Sequence, residues 1–138
     1  MAESFAAEGA RVLVADMDEA ALAQCPGNWL KMVGDASDPD HMQAVFARIA
    51  KEWGGIDVVC ANAGIAGPTA AIEDIALADW QRCVSVNLEG AFLAAKYAAP
   101  MMKDAKAGAI TITSSTAGLH GYPNRAPYAA AKWAVIGL

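Results

Sequence analysis

The chain has 138 residues, which at about 150 residues per domain makes one domain around one core. Hydrophobic residues make up 56% and charged residues 18%, a balance that excludes a disordered tail or a coiled coil. The formal net charge is −5 with no run of Lys or Arg, so nucleic acid and anionic membrane are poor partners, and no stretch nears the ~20 apolar residues of a membrane span.

Ala2 to Glu8 reads as the end of a helix stopped by Gly9. Arg11 to Ala15 is a short apolar run, the mark of a strand buried on both faces. A short helix over Asp18–Gln24 closes at Pro26-Gly27, and Trp29 to Val33 is a second strand interrupted by Lys31. The next helix carries the clearest signals. Asp38 can cap it, Pro39 fits the first helical position, and Asp40 complements the positive end of the helix. Met42, Val45, Phe46, Ile49, Ala50 and Trp53 then form one apolar stripe that ends at Gly54-Gly55. Ile56 to Ala61 reads as a strand, followed at once by Asn62-Ala63-Gly64. Two helical stretches, Ala78 to Val86 and about Asn87 to Lys106, precede a strand within Gly108–Ser114. A loop over Gly118–Pro127 leads to a helix that opens at Tyr128, with Val135 and Ile136 expected to lie unpaired near its end. Strands alternating with helices predict a single α/β domain, a doubly wound parallel sheet of Rossmann-like type. The first helix lacks the strand that should feed it, so the sheet is expected to be incomplete and the chain to be the interior of a larger domain.

Cys25, Cys60 and Cys83 are odd in number, and none forms a C-x-x-C pair. With no secretory signal pattern at the start, they are expected to be reduced core thiols of a cytoplasmic protein, and no metal site is expected. His41 is expected to be a solvated helix residue and His120 part of a surface loop.

Four local features can carry chemistry. Tyr128 and Lys132 are four residues apart and share a helix face, where an ammonium beside a phenol favours the tyrosinate needed for general acid–base work. The alternative is an interfacial tyrosine beside a solvated lysine. Ser114 and Ser115 end a strand, at the edge where doubly wound sheets hold ligands, although either can simply cap a turn. Asp16 ends the first strand and can accept hydrogen bonds from ribose hydroxyls, or can cap the helix that follows. Asn62-Ala63-Gly64 lets a flat ligand approach the backbone, and Asn62 can tie adjacent strand ends together; an ordinary turn is the alternative.

In combination the features are specific. Asn62-Ala-Gly64, Asn87 within Val86-Asn-Leu, Ser115, and Tyr128-Ala-Ala-Ala-Lys132 occur in that order, with Ser115 thirteen residues before Tyr128. The chain resembles the short-chain dehydrogenase/reductase family in its compact form, essentially along its whole length. That resemblance implies a catalytic tetrad of Asn87, Ser115, Tyr128 and Lys132. It also implies a cofactor site of Asp16, Asp35, Ala36, Asn62, Ala63 and Gly64 together with Tyr128 and Lys132, with Asp16 selecting NAD. The implied reaction is hydride transfer between NAD(H) and a secondary alcohol or carbonyl compound. Tyr128 would move the proton, Ser115 would hold the substrate oxygen, and Lys132 would favour the tyrosinate and bind the nicotinamide ribose. Asn87 would hold a water leading toward Lys132. A homodimer or homotetramer is implied as well. The family's first strand and its T-G-x-x-x-G-x-G loop have no counterpart in residues 1–138, and Ala61 stands where the family commonly has a first Asn. The competing expectation is a non-catalytic dinucleotide-binding protein, or an inactive truncated product, of the same fold.

Overall fold

The computed structural model describes residues 1–138. Its elements in chain order are α1 (Ala2–Ala7), β1 (Leu13–Asp16), α2 (Glu19–Ala23), β2 (Leu30–Val33), α3 (Pro39–Trp53), β3 (Val58–Ala61), α4 (Leu77–Val84), α5 (Gly90–Ala105), β4 (Ala109–Ile112) and α6 (Ala126–Gly137). Single 3₁₀ turns lie at Ile72–Asp74 and Thr116–Gly118. No helix is long and apolar enough to cross a membrane.

Helix α3 forms as its signals predict. The Asp38 carboxylate accepts from the Asp40 N–H, Pro39 sits in the first turn, and Gly54 ends the helix at φ 77°. Left-handed backbone of that kind suits glycine, which has no Cβ to clash. Met42, Val45, Phe46 and Ile49 of α3 meet Val59 of β3 and Leu93, Ala94 and Ala98 of α5 in the main core. Each large side chain there contributes about 1.5–3 kcal/mol by leaving water. The small Ala94 and Ala98 let α5 lie close against β3 and α3.

The sheet is α/β and parallel, but it is divided. β1 pairs with β2 in parallel register, Leu13 opposite Leu30 through Asp16 opposite Val33. β3 pairs with β4 likewise, Val58 opposite Ala109 through Ala61 opposite Ile112. The two pairs form separate two-stranded sheets. Leu13 and Val14 of β1, Val58 and Cys60 of β3, Phe5 of α1 and Trp53 of α3 line a cavity of about 530 Å³ between them.

That division corrects several expectations. The strands are not buried on both faces: Ala15 and Asp16 are exposed, and Val58 and Ile110 are 40% and 37% exposed. Each strand has a hydrogen-bonded neighbour on one side only, which leaves side chains near the other edge in contact with solvent. The cysteines are likewise not all core thiols, for Cys83 is buried, Cys25 is intermediate and Cys60 is exposed. The strands also start later than the apolar runs. Val12 and Asp57 contribute only their carbonyls, accepting from Leu30 N and Ala109 N at 3.0 and 2.8 Å. Lys31 is accommodated in β2 because its ammonium reaches out to the Cys25 carbonyl.

The helical stretches expected to break between Val86 and Asn87 are instead joined through a π turn at Ser85–Glu89. His41 lies on α3 but is only partly solvated. Its ring packs on Gly34, where any Cβ would collide with it, and its Nε2 is buried without a partner. Val135 is buried at 6% exposure, since α6 packs on α4 and the Thr116–Gly118 turn, whereas Ile136 is exposed.

Candidate active site

β4 runs into Thr113-Ser114-Ser115, and these three residues meet α6 side-on. The Ser114 hydroxyl donates to the Lys132 carbonyl at 2.8 Å, and the Lys132 ammonium donates to the Thr113 carbonyl at 2.8 Å. Gly118 makes this approach possible, because a Cβ there would strike the Lys132 carbonyl and the Ser114 Oγ. Lys132 is therefore held against the end of β4 at only 4% exposure. Its Nζ lies 5.7 Å from the centroid of the Tyr128 ring, the outcome of their four-residue spacing on α6.

The two serines differ in what their hydroxyls can still do. Ser114 spends its hydroxyl hydrogen on Lys132. Ser115 Oγ accepts from the Ala117 N–H at 3.2 Å, so it caps the 3₁₀ turn and keeps its own hydrogen free to donate.

The loop after β3 is tied from two sides. Asn62 links the ends of β3 and β4 by accepting from the Thr113 hydroxyl at 2.9 Å. Asn87, on the π turn and 1% exposed, donates through Nδ2 to the carbonyls of Ile65 and Cys83, both at 2.9 Å. Its Oδ1 is buried with no partner. It faces Gly64, where a Cβ would stand 2.7 Å from Asn87 Oδ1 and 3.5 Å from Lys132 Nζ. Only glycine leaves that space open. π turns of this sort recur at functional sites because the wider turn re-aims one side chain.

Asn62, Gly64, Asn87, Ser115, Tyr128 and Lys132 thus border one cavity of about 350 Å³. The pocket is the size of a small-ligand site. Ala63 is exposed beside it. The other expected cofactor residues lie elsewhere. Asp16 ends β1, where its Oδ1 accepts from the Asp18 N–H at 3.0 Å as a turn-capping carboxylate does. Asp35 and Ala36 follow β2, and Ala36 packs against Gly90 at the start of α5.

Asp35 already has three partners. Its Oδ1 accepts from the Ser37 N–H at 2.8 Å and hydroxyl at 2.7 Å, while Arg82 of α4 bonds Oδ2 at 2.6 Å. Burial pushes this carboxyl up, but the Ser37 donors and the Arg82 guanidinium outweigh burial and hold it below the usual carboxylate value. Burial pushes the Cys83 thiol up, and Asn87, Arg125 and Lys132 only partly offset that.

Sequence reasoning missed Arg82 and Arg125. Nothing local marks Arg82, whose partner Asp35 is 47 residues away. Arg125 stands three residues before Tyr128, a helix-face spacing that could have found it.

The sequence pattern described as short chain dehydrogenase matches residues 1–138, the span that holds this geometry. The chain belongs to the short-chain dehydrogenase family. Among family members, it is 36% identical to a cis-4-hydroxycyclohexanecarboxylate dehydrogenase of Sinomonas cyclohexanicum, over 99% of this chain and 57% of that protein. It is 35% identical to a 3beta-hydroxysteroid dehydrogenase of Mediterraneibacter gnavus, over 96% of this chain and 50% of the relative. A crystal structure of a 3-ketoacyl-ACP reductase from Sinorhizobium meliloti superposes with a TM-score of 0.92 at 29% identity, covering 99% of this chain and 57% of that one. The chain therefore spans about half the length of the curated relatives it matches.

Proposed function

We propose that this chain carries the proton-transfer set of an oxidoreductase that moves a hydride between NAD(H) and a secondary alcohol or its ketone. The observation that carries this reading is a half-buried Tyr128 beside a buried Lys132, sharing one cavity with Ser115 and Asn87.

The residues present fit the two ends of a nicotinamide dinucleotide. The missing side chain of Gly64 leaves room for a flat ring over Asn87 and Lys132. At the other end, Asp16 is exposed with an oxygen free to accept ribose hydroxyls. A carboxylate there repels a 2′-phosphate, which favours NAD over its phosphorylated form. Asp35 and Ala36 would border the adenine, and Asn62 to Gly64 the nicotinamide side. Bound, the dinucleotide supplies the hydride acceptor or donor.

The chain's own residues handle the proton and the substrate oxygen. Tyr128 takes the hydroxyl proton in oxidation and returns it in reduction. Ser115 donates its free hydroxyl hydrogen to the substrate oxygen, where negative charge develops. Lys132 spends one donor on Thr113 and turns the remainder toward the cavity, where it holds a ribose hydroxyl beside the Tyr128 ring. The unpaired Asn87 Oδ1 can hold a water next to Lys132 as a path for the proton. We further infer a homodimer or homotetramer through α5 and α6, whose Phe92, Trp133 and Ile136 are 47%, 52% and 53% exposed.

Tyr128→Phe tests the reading with the secondary alcohol 4-hydroxycyclohexanecarboxylate, a compound named for one relative. In the full-length parent expected from the sequence, turnover should fall to near zero while NAD affinity stays within about twofold, because only the ionisable oxygen is lost. Near-normal turnover by this variant would refute the assignment. That full-length parent should use NAD at least several-fold better than NADP, and Asp16→Ala should narrow the gap.

A further inference from the structure

The cavity around Tyr128 holds a second cation that the proton transfer does not use. Arg125 precedes α6, and its guanidinium carbon lies 5.3 Å from the centroid of the Tyr128 ring and 5.9 Å from that of Tyr122. Nη2 donates to the Ala66 carbonyl at 2.8 Å, which fixes the side chain in place. The Nε hydrogen is buried with no partner.

The surrounding charge is one-sided. Arg48 and Arg82 each pair with a carboxylate, Glu52 and Asp35, whereas Arg125 pairs with none. The cavity walls contain Lys132 and Arg125 but no Asp or Glu, in a chain whose net charge is −5. The two aromatic rings and one carbonyl steady the guanidinium without neutralising it. A partly desolvated, uncompensated cation is costly unless an anion joins it. The anion that best matches a planar guanidinium with only one of its Nη groups bonded is a carboxylate, which can accept two hydrogen bonds side by side.

Because Arg125 packs on the ring of Tyr128, an anion bound to the guanidinium and an oxygen bound to the phenol can belong to one small molecule. We propose that the site selects a hydroxy acid or oxo acid, with its carboxylate on Arg125 and its hydroxyl or carbonyl oxygen on Tyr128 and Ser115. The second half of this assignment rests on the hydride-transfer reading above, whereas the carboxylate site stands on Arg125 alone.

The test uses benzoate and benzamide, which share a shape and differ in charge, titrated into the 138-residue protein with calorimetry or NMR shifts as the readout. Benzoate should bind at least tenfold more tightly than benzamide. Arg125→Gln should abolish that difference, and Arg125→Lys should restore part of it, which separates charge recognition from a folding defect. Equal binding of the two probes by the unaltered chain, or an undiminished preference in Arg125→Gln, would overturn the proposal. A tenfold or larger loss of NAD affinity in Arg125→Gln would also overturn it, by assigning the guanidinium to the cofactor's phosphates. Turnover measured in the full-length parent expected from the sequence keeps the two readings apart. Benzoate preference without any alcohol oxidation upholds the anion site and sinks the oxidoreductase reading. Oxidation of alcohols without charge preference sinks the anion site alone.

Discussion

Asn87 joins the helix rod to the loop after β3, and its removal should cost stability as well as activity. The side chain is 1% exposed and donates to the carbonyls of Ile65 and Cys83, both at 2.9 Å. Deleting the donor strands the buried Cys83 carbonyl at about 1–3 kcal/mol and loses a partly buried bond to Ile65 at about 1 kcal/mol, so the loss should total about 2–4 kcal/mol. Asn87→Leu removes the donor while keeping four side-chain heavy atoms in the same branched arrangement, so it leaves no cavity. Asn87→Ala should lose at least as much, since it adds a small void. With a urea dependence of about 1.5–2 kcal/mol per molar, the unfolding midpoint should fall by about 1–2 M. Tryptophan fluorescence can follow the transition through Trp29, Trp53, Trp80 and Trp133. The same substitutions should speed the reaction of Cys83 with a thiol reagent, because its sulfur packs between Asn87 and Gly67. A leucine variant within 0.5 kcal/mol of the unaltered chain would show that these bonds are not what holds the loop, since buried donors are typically worth about 1 kcal/mol each.

Three further outcomes follow from the geometry. Asp35 is held below its unfolded value of 3.8, so its ionised form stabilises the fold above about pH 4 and that contribution is lost as pH falls through the folded value. Arg82→Ala raises the folded value and should move the acid-unfolding midpoint, followed by circular dichroism, to higher pH; an unmoved midpoint contradicts the clamp. In thiol titration at pH 8, exposed Cys60 should react quickly and Cys83 only as the chain unfolds, because burial raises its pKa and blocks access. Val58 lies on the edge of β3 that faces the cavity between the sheets, so Val58→Lys should reduce concentration-dependent association in light scattering, as charged residues do on bare strand edges.

What could be read from the sequence was whatever neighbouring residues decide among themselves. Asp38, Pro39 and the stripe from Met42 to Ile49 determine α3 because a cap, a first-turn proline and a helical period act within a few residues of each other. Tyr128 and Lys132 were legible for the same reason, being one helical turn apart. Strand starts were less so. The apolar runs at Arg11 and Ile56 begin before the paired residues, and where pairing starts depends on the partner strand rather than on hydrophobicity. The π turn at Ser85–Glu89 has no periodic signal, since it is produced by packing around Asn87, Ile65 and Cys83. The divided sheet was anticipated only as incompleteness. Its effect on exposure, in Cys60 and Val58 above all, needed the strand partners to be known.

The two missed arginines show most plainly how function escapes local reading. Arg82 and Arg125 carry the same charge and sit near the two ends of the proposed cofactor–substrate track, yet one is neutralised by Asp35 and the other by nothing. A sequence counts both among ten cations set against fifteen acidic residues, a balance that suggests no cationic pocket at all. Net charge is an average over the surface, whereas recognition depends on the charges that share a wall with the reacting atoms. Around Tyr128 those charges are Lys132 and Arg125. The fold thus builds a locally positive site within an acidic chain, and the choice of substrate should follow the wall and not the average.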